Sequence, residues 1–274
     1  MLKSERQESL VALCEERGAI SVRDLSRELG ISEMTVRRDL DELDGQGRIE
    51  RVHGGARSKG VRQTLVRHER SHVEKHELNA AEKDHAATLA ASVIEEGDAI
   101  YLGTGTTCEA MVAHLPAVPL KIVTSSLAVF TLLVAHPEYD SGLWDLCLIG
   151  GSYLKTTMAF VGPLAEDALG TLGLARAFVG TNGILGTQIF GHTMAAGRIL
   201  RAALDAADNR YVVTDASKFG RRDFSAFYEL RNIDNVFTDG GIAPDQRQAV
   251  EQYCRVVCKG DAPGQQSRAV PRAI

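Results

Sequence analysis

The segment Ser32–Leu40, SEMTVRRDL, constrains the fold more than any other stretch of this chain. A short helix ends at Leu29-Gly30 just before it, and the hydroxyl of Ser32 is suited to cap a new helix at once. The apolar residues of that new helix recur at helical spacing and predict one buried stripe: Val36, Leu40 and Leu43. The pattern therefore predicts two short helices joined by a tight turn.

The opposite face of the second helix carries Met34 and Arg38, with Thr35 and Arg37 on its two flanks. A helix that is held on its apolar side and exposes Arg and Thr near its N-terminus has what reading of the DNA major groove requires. The sequence thus predicts a recognition helix.

Residues 1–57 predict a complete winged helix-turn-helix domain around that helix. Ser21–Asp24 has the capping-box pattern of a helix start, and Arg48–His53 reads as a basic ribbon that turns at Gly54-Gly55. The alternative is a small helical bundle that binds another protein, which has no need for two exposed arginines and a basic ribbon. The candidate DNA contacts are Ser32, Met34, Thr35, Arg37, Arg38, Arg51, His53 and Arg57.

The formal net charge of −5 is weak evidence against nucleic acid, because local placement of charge decides binding. Residues 58–85 predict a polar linker helix. In it, His68, His72 and His76 have a spacing that metal ligands use, but a metal site needs further ligands, so we favour a solvated, charged connecting helix and predict no metal.

Residues 86–258 alternate short apolar runs with amphipathic stretches, which predicts a Rossmann-like α/β domain with a mostly parallel sheet. The predicted strands are 99–102, 121–124, 146–149, 177–179, 211–214, 235–238 and 255–258. Residues 259–274 predict a disordered tail.

Almost every predicted strand ends in Gly, Ser, Thr, Asn or Asp, and parallel strand ends converge where ligands bind. Gly103–Thr107, GTGTT, combines small residues, hydroxyl donors and a helix start, which favours an anion such as phosphate. No lysine follows its glycines, so it is not a Walker loop, and a plain tight turn is the alternative. The candidate effector contacts are Gly103, Thr104, Gly105, Thr106, Thr107, Ser125, Ser126, Gly150, Gly151, Asn182, Asp215 and Lys218.

The two halves together resemble the DeoR family of bacterial transcriptional regulators. The motifs that carry the resemblance are Arg6–Leu10, Ser32–Leu43, Arg51–Ala56, Tyr101–Thr107, Ile149–Gly151, Gly180–Ile184 and Thr214–Gly220. The resemblance implies a repressor of a carbohydrate operon whose C-terminal domain is similar to sugar-phosphate isomerases and senses a phosphorylated sugar. It also implies that the Gly103–Thr107 loop and Lys218 contact that ligand.

The chain departs from the family pattern at several pocket positions. Gly103 stands where an Asp is often found, Asn182 replaces another Asp, Thr124–Ser126 replaces Thr-Asn-Ser, and Ala195–Arg198 lacks the usual acidic residues. We therefore expect no enzyme activity and no catalytic residue, and a pocket that has lost carboxylates for sugar hydroxyls. Two alternatives remain open at this point: a sugar-phosphate isomerase-like enzyme with a DNA-binding appendage, and an architectural DNA-binding protein without a ligand.

Composition narrows the partners further. There is no run of about 18 apolar residues and no apolar leader, and the five cysteines are scattered, so we expect a cytoplasmic protein without membrane contact or cofactor. One winged helix buries too little surface for tight, specific binding, so we expect a homodimer or homotetramer on double-stranded operator DNA.

Overall fold

The computed structural model describes residues 3–17, 19–52, 54–58 and 72–258. The chain divides into two compact units between residues 64 and 65. The first unit contains α1 (Lys3–Arg17), β1 (Ala19–Ser21), α2 (Val22–Leu29), α3 (Glu33–Gly45), β2 (Ile49–Val52) and β3 (Gly55–Ser58).

This first unit confirms the predicted winged helix-turn-helix. Gly30 ends α2 in the left-handed conformation with a φ of 64°, and the side chain of Ser32 caps α3 after only two residues. The apolar stripe of α3 is fully buried and consists of Val36, Leu40 and Leu43. It packs in one core with Leu10 of α1, Leu25 of α2 and Ile49 of β2, which are also fully buried. The ribbon is one strand wider than predicted, because β1 pairs antiparallel with β3.

The second unit begins with two helices and continues as alternating strands and helices. Its helices are α4 (His72–Glu77), α5 (Ala80–Ala91), α6 (Thr106–Met111), α7 (Leu127–Val134), α8 (Pro137–Asp140), α9 (Pro163–Gly170), α10 (Met194–Asp205) and α11 (Pro244–Glu251). Its strands are β4 (Ala99–Leu102), β5 (Leu120–Thr124), β6 (Trp144–Leu148), β7 (Ser152–Leu154), β8 (Ala159–Val161), β9 (Leu174–Val179), β10 (Gly183–Leu185), β11 (Gln188–Gly191), β12 (Ala207–Val213), β13 (Ser225–Glu229), β14 (Asn235–Phe237) and β15 (Arg255–Val257).

All seven predicted strands lie in one parallel sheet, in the order β15-β14-β12-β9-β4-β5-β6. Successive residues of a strand enter different cores. Tyr101 packs in one apolar cluster, whereas Ile100 and Leu102 pack in the other. The sheet is therefore covered on both faces, as its continuous apolar runs require. The antiparallel hairpin β7–β8 and the sheet β10-β11-β13 were not predicted.

The predicted linker spans a break between two helices. Asn79 has a left-handed φ of 52° and separates α4 from α5. The predicted start of the effector domain at residue 86 falls inside α5, whose small residues are buried in a core of the second unit: Ala86, Ala87, Ala90 and Ala91. Residues 59–71, with His68, and the predicted tail 259–274 lie outside the described residues. No helix in the described part of the chain is long and apolar enough to cross a membrane.

Candidate functional site

The outward face of α3 carries the predicted DNA contacts. Met34 is 81% exposed and the side chain of Arg38 is 82% exposed. Ser32 also caps the helix, because its Oγ accepts a hydrogen bond from Thr35 N and lies 2.9 Å from Thr35 Oγ1. Met34, Arg37 and Arg38 are the long exposed side chains of this face, and DNA contact by all five residues stays a prediction.

Each arginine of this face has an acidic neighbour on the same helix. Arg37 pairs with Glu33 at 3.1 Å and Arg38 with Glu42 at 3.8 Å. Ion pairs exposed to this degree contribute little free energy, so both guanidinium groups are available to exchange a carboxylate for DNA.

The hairpin of β2 and β3 forms the wing, and the side chain of its Arg51 has more partners within the protein than the sequence indicated. The Nε of Arg51 lies 3.0 Å from Asp41 Oδ1, and its Nη1 donates to the carbonyl of Gly55 at 3.2 Å. The guanidinium of Arg51 thus joins β2 to the exposed face of α3. His53 lies outside the described residues, and for Arg57 the structure describes the backbone in β3 but not the side chain.

In the second unit, the loop after β4 packs closely against the end of β9. Gly103 N donates to Phe178 O at 2.8 Å, and a Cβ at Gly103 would lie 2.9 Å from that oxygen. Gly105 precedes α6 with a φ of 108°, a backbone conformation that residues other than glycine rarely adopt. Thr104, Thr106 and Thr107 are buried in this loop.

The predicted serines after β5 have partners within the protein. Ser125 Oγ lies 2.8 Å from the hydroxyl of Tyr101, and Ser126 Oγ caps α7 by accepting from Val129 N. Both serines are fully buried. Gly150 and Gly151 follow β6 at the edge of the sheet and are exposed. All four residues lie at the ends of β5 and β6, and their contact with an effector stays a prediction.

Asp215 and Lys218 follow β12. Asp215 is 1% exposed, and its Oδ1 accepts hydrogen bonds from Asn79 Nδ2 and Ser217 N, each at 3.0 Å. Burial opposes ionisation of this carboxyl, but the charge of Lys218 and the hydrogen bonds from Ser217 and Asn79 outweigh it and lower the pKa of Asp215. Asp215 is therefore an ionised carboxylate beneath the strand ends.

Lys83 is a charged residue of this region that the sequence reading missed. It is 6% exposed on α5, and its ammonium donates to the carbonyls of Lys75 and of Leu78, the latter at 2.5 Å. The Lys75 carbonyl also accepts from Thr106 Oγ1 at 3.4 Å, which places the ammonium beside the start of α6. A signal was present, because Lys83 stands one helical turn before Ala86 and Ala87 on the same buried stripe.

Glu109 on α6 is a second missed residue. It is buried, and its Oε1 lies 2.7 Å from Nε2 of His72 on α4. His72 thus contacts a carboxylate, and His76 is exposed. The charged groups of this region are the ammonium groups of Lys83 and Lys218, the carboxylates of Asp215 and Glu109, and the imidazole of His72. Such a region can bind a ligand that carries both a negative charge and hydroxyl groups.

Asn182, which follows β9, donates from Nδ2 to Asp223 Oδ2 at 2.6 Å. The sequence predicted a pocket short of carboxylates at this position. Asp223, which is fully buried, places a carboxylate behind Asn182 from a distant part of the chain, and the expectation for the pocket stays a prediction.

Comparison with known proteins agrees with both halves of this geometry. Residues 6–60 match the model of the DeoR-like helix-turn-helix domain, and residues 78–240 match that of the DeoR C terminal sensor domain. The chain belongs to the DeoR family. It is a DNA-binding transcriptional regulator with a sensor domain, as the sequence motifs indicated.

Two curated DeoR-type relatives cover almost the whole chain. The "Lactose phosphotransferase system repressor" of Streptococcus mutans is 35% identical over 257 residues, which cover 94% of this chain and 100% of that protein. The protein of the same name from Lactococcus lactis is 36% identical over 260 residues, which cover 94% of this chain and 99% of that protein.

Solved structures resemble parts of the DeoR-family chain more weakly. Ribose 5 phosphate isomerase A from Neisseria gonorrhoeae has a TM-score of 0.36 and 22% identity, over 54% of this chain and 55% of that chain. The translation initiation factor eIF-2B of Pyrococcus horikoshii has a TM-score of 0.38 and 12% identity, over 86% of this chain and 87% of that chain. The family membership rests on the domain models and the curated relatives.

Proposed function

We propose that this protein is a repressor of a carbohydrate operon and that a phosphorylated sugar binds its sensor domain. The observation that carries the proposal is that the ammonium of Lys83 shares the carbonyl of Lys75 with Thr106 of the Gly103–Thr107 loop, while Lys218 follows β12, two strands from β4 in the same parallel sheet. Backbone N–H groups at a helix start and two ammonium groups are the donors that phosphate prefers.

The relatives support the same ligand class. Their name couples a repressor to a phosphotransferase system for lactose, and a phosphotransferase yields a phosphorylated sugar. The sugar itself follows from neither the name nor the loop, so the ligand class is a phosphorylated sugar of unspecified identity.

We further propose that the sensor domain does not isomerise its ligand. Isomerisation of a sugar phosphate needs an acid and a base positioned on the substrate. The amide of Asn182 cannot exchange a proton in that way, and the first turn of α10 carries no carboxylate. Incubation with ribose 5-phosphate, followed by NMR, should therefore show no conversion to the ketose.

The decisive experiment is isothermal titration of the full chain with a panel of hexose 6-phosphates and ribose 5-phosphate. Gly105→Val should abolish binding of the best ligand, because valine cannot adopt the local φ without displacing the loop. Gly142→Val is the matched control, since Gly142 has a φ of 79° in an exposed turn between α8 and β6.

Lys218→Ala should weaken the same ligand by a smaller amount, with the exposed Lys155→Ala as its control. All four proteins should still bind operator DNA, because the DNA-binding unit is separate. Equal affinity for the sugar phosphate in all variants would show that the Gly103–Thr107 loop is not part of the binding site.

We also propose that a homodimer or homotetramer binds repeated half-sites in the operator. Light scattering on the free protein and on its operator complex tests this state, and a monomer in both samples would contradict it.

A further inference from the structure

A second polar cluster lies at the end of β9. Asp223 is fully buried, and its carboxylate accepts a hydrogen bond from Asn182 Nδ2 at 2.6 Å and one from Phe224 N at 2.7 Å. His192 follows β11, and its Nδ1 lies 3.4 Å from Asp223 Oδ1, the oxygen that accepts from Phe224 N. Asn182 and His192 are partly exposed above this buried anion. We call these three residues the Asn182 cluster.

The Asn182 cluster lies beside the Gly103–Thr107 loop. A Cβ at Gly180 would be 3.2 Å from the carbonyl oxygen of Thr104, so the chain leaving β9 passes directly along that loop. Asn182 follows two residues later, a distance of at most about 7 Å along an extended chain.

A single loop connects the two places. It begins at Asp215 and Lys218, forms a bridge between Phe219 and Ile184, and reaches Asp223. A Cβ at Gly183 would lie 2.5 Å from the carbonyl oxygen of Arg221, which shows how closely this loop follows the start of β10. The loop thus brings an ammonium to one end of the site and a carboxylate to the other.

The chemistry of the Asn182 cluster suits a polyol. An amide offers two N–H donors and a carbonyl acceptor, and an imidazole offers a donor or an acceptor at each nitrogen. Among the described residues only Asp223 bonds to the side chain of Asn182, which leaves donor and acceptor capacity for neighbouring hydroxyl groups. The buried carboxylate of Asp223 holds the amide of Asn182 by a hydrogen bond and lies 3.4 Å from Nδ1 of the imidazole.

We propose that Asn182 and His192 recognise the hydroxyl groups of the sugar, at the end remote from its phosphate, and that Asp223 positions them. The proposal rests on the proposed sugar-phosphate function and adds to it the residues that distinguish one sugar from another. It also explains how this chain manages without the Asp that Asn182 replaces, because the carboxylate is supplied from the neighbouring loop.

The test separates the two ends of the ligand. Calorimetric titration of the full chain would use the best-binding hexose 6-phosphate of the panel, with glycerol 3-phosphate and orthophosphate as ligands that lack most or all of the sugar hydroxyls. Asn182→Ala and His192→Ala should each weaken the hexose phosphate by about tenfold, the effect of losing a hydrogen bond to a polar ligand group. Their affinities for orthophosphate and glycerol 3-phosphate should equal those of the wild type.

Asp223→Ala should have the same effect as either variant, and Asp223→Asn provides a version of similar shape if the alanine protein fails to fold. Asn232→Ala is the matched control, because Asn232 is exposed in a turn after β13. A circular dichroism spectrum and a thermal unfolding transition equal to those of the wild type show that each variant is folded.

The outcomes are distinct. Unchanged hexose-phosphate affinity in Asn182→Ala and His192→Ala overturns the assignment and leaves the proposed function in place. A parallel loss of orthophosphate and hexose phosphate also overturns it, because the cluster would then only hold the loop in place. A wild-type protein that binds no sugar phosphate overturns the proposed function and this assignment together.

Discussion

Asn79 donates a hydrogen bond from Nδ2 to Oδ1 of Asp215 at 3.0 Å, and Ser217 Oγ lies 3.3 Å from the same nitrogen. Asn79 stands in the chain between the DNA-binding unit and the sensor sheet, whereas Asp215 belongs to the strand end that carries Lys218. This contact therefore attaches the α4–α5 connection to the proposed effector site. It offers a physical route by which a ligand near Lys218 affects the segment that follows the DNA-binding unit.

The first prediction concerns this attachment. Asn79→Gly should weaken it by about 1 kcal/mol, the usual cost of losing a hydrogen bond, and amide exchange in α4 should accelerate roughly fivefold. Glycine is the informative substitution because it accepts the left-handed φ of 52° without strain. Hydrogen exchange read by mass spectrometry on the full chain measures the effect.

Asn79→Ala serves as the comparison, since it adds backbone strain to the same loss and should accelerate exchange further. Exchange in the central strands β4 and β9 should stay unchanged in both variants. If the amides of α4 exchange in Asn79→Gly at the same rate as in the wild type, the Asp215 contact does not hold this helix.

The second prediction concerns the recognition helix. Arg38→Ala should weaken operator binding by about tenfold to a hundredfold, because one good base contact contributes 1–3 kcal/mol. Arg37→Ala should weaken binding less, since its side chain is less exposed than that of Arg38. Fluorescence anisotropy with operator DNA measures both, and Lys155→Ala controls for the loss of one positive charge. Wild-type affinity in both arginine variants would exclude α3 as the reading helix.

Local periodicity explains why so much of the fold could be predicted from sequence. The Val36, Leu40 and Leu43 stripe and the seven apolar runs each need only a few neighbouring residues to be recognised. The antiparallel sheet β10-β11-β13 escaped prediction because its strands pair across residues 183–229, and no local pattern records such a pairing.

The candidate site was predictable only where one segment carries the signal. The Gly103–Thr107 loop is such a segment, and its backbone is as tight as its glycines indicated. Asp223 joins Asn182 across 41 residues of sequence, and Lys83 shares the carbonyl of Lys75 with Thr106 of α6. These contacts depend on tertiary packing, so residue type and spacing alone could not reveal them.

The third prediction concerns the wing and follows from the Arg51–Asp41 pair. Arg51→Ala should lower affinity for operator and unrelated DNA alike and reduce the salt dependence of binding, as expected for a phosphate contact. Asp41→Ala should raise affinity for both, because a carboxylate on the exposed face of α3 repels DNA. Binding titrations at several salt concentrations measure these changes.

The double variant Arg51→Ala, Asp41→Ala distinguishes direct from indirect action. A loss relative to Asp41→Ala alone shows that Arg51 itself contacts DNA. An affinity equal to that of Asp41→Ala would mean that Arg51 acts only by neutralising Asp41.

The fourth prediction concerns the stability of the DNA-binding unit. Arg6 Nε lies 2.5 Å from Oδ2 of Asp39, whose side chain is 2% exposed on α3. Arg6→Ala leaves this carboxylate without its cation, which should destabilise the unit. Hydrogen exchange of α3 amides in the full chain reports that loss. The double variant Arg6→Met, Asp39→Leu should recover most of the protection, and failure to recover it would show that the pair itself is stabilising.

The last prediction concerns Lys83 and pH. Burial disfavours the charged ammonium and lowers the pKa of Lys83 below the ordinary 10.5, an effect that the nearby carboxylate of Asp215 only partly offsets. A phosphate ligand needs the charged form. Affinity for the best hexose 6-phosphate should therefore fall as pH rises through this lowered pKa, at a pH where an exposed lysine keeps its proton.

Lys83→Arg and Lys83→Met identify the group responsible. A guanidinium stays protonated throughout this range, so the arginine variant should bind without the alkaline decline. The methionine variant should bind more weakly near neutral pH and also lack the decline, because the titrating group is absent. Calorimetric titrations across the alkaline range, with circular dichroism and thermal unfolding as the test of folding, measure these profiles. An alkaline decline in Lys83→Met equal to that of the wild type would assign the titration to another residue and remove Lys83 from the phosphate site.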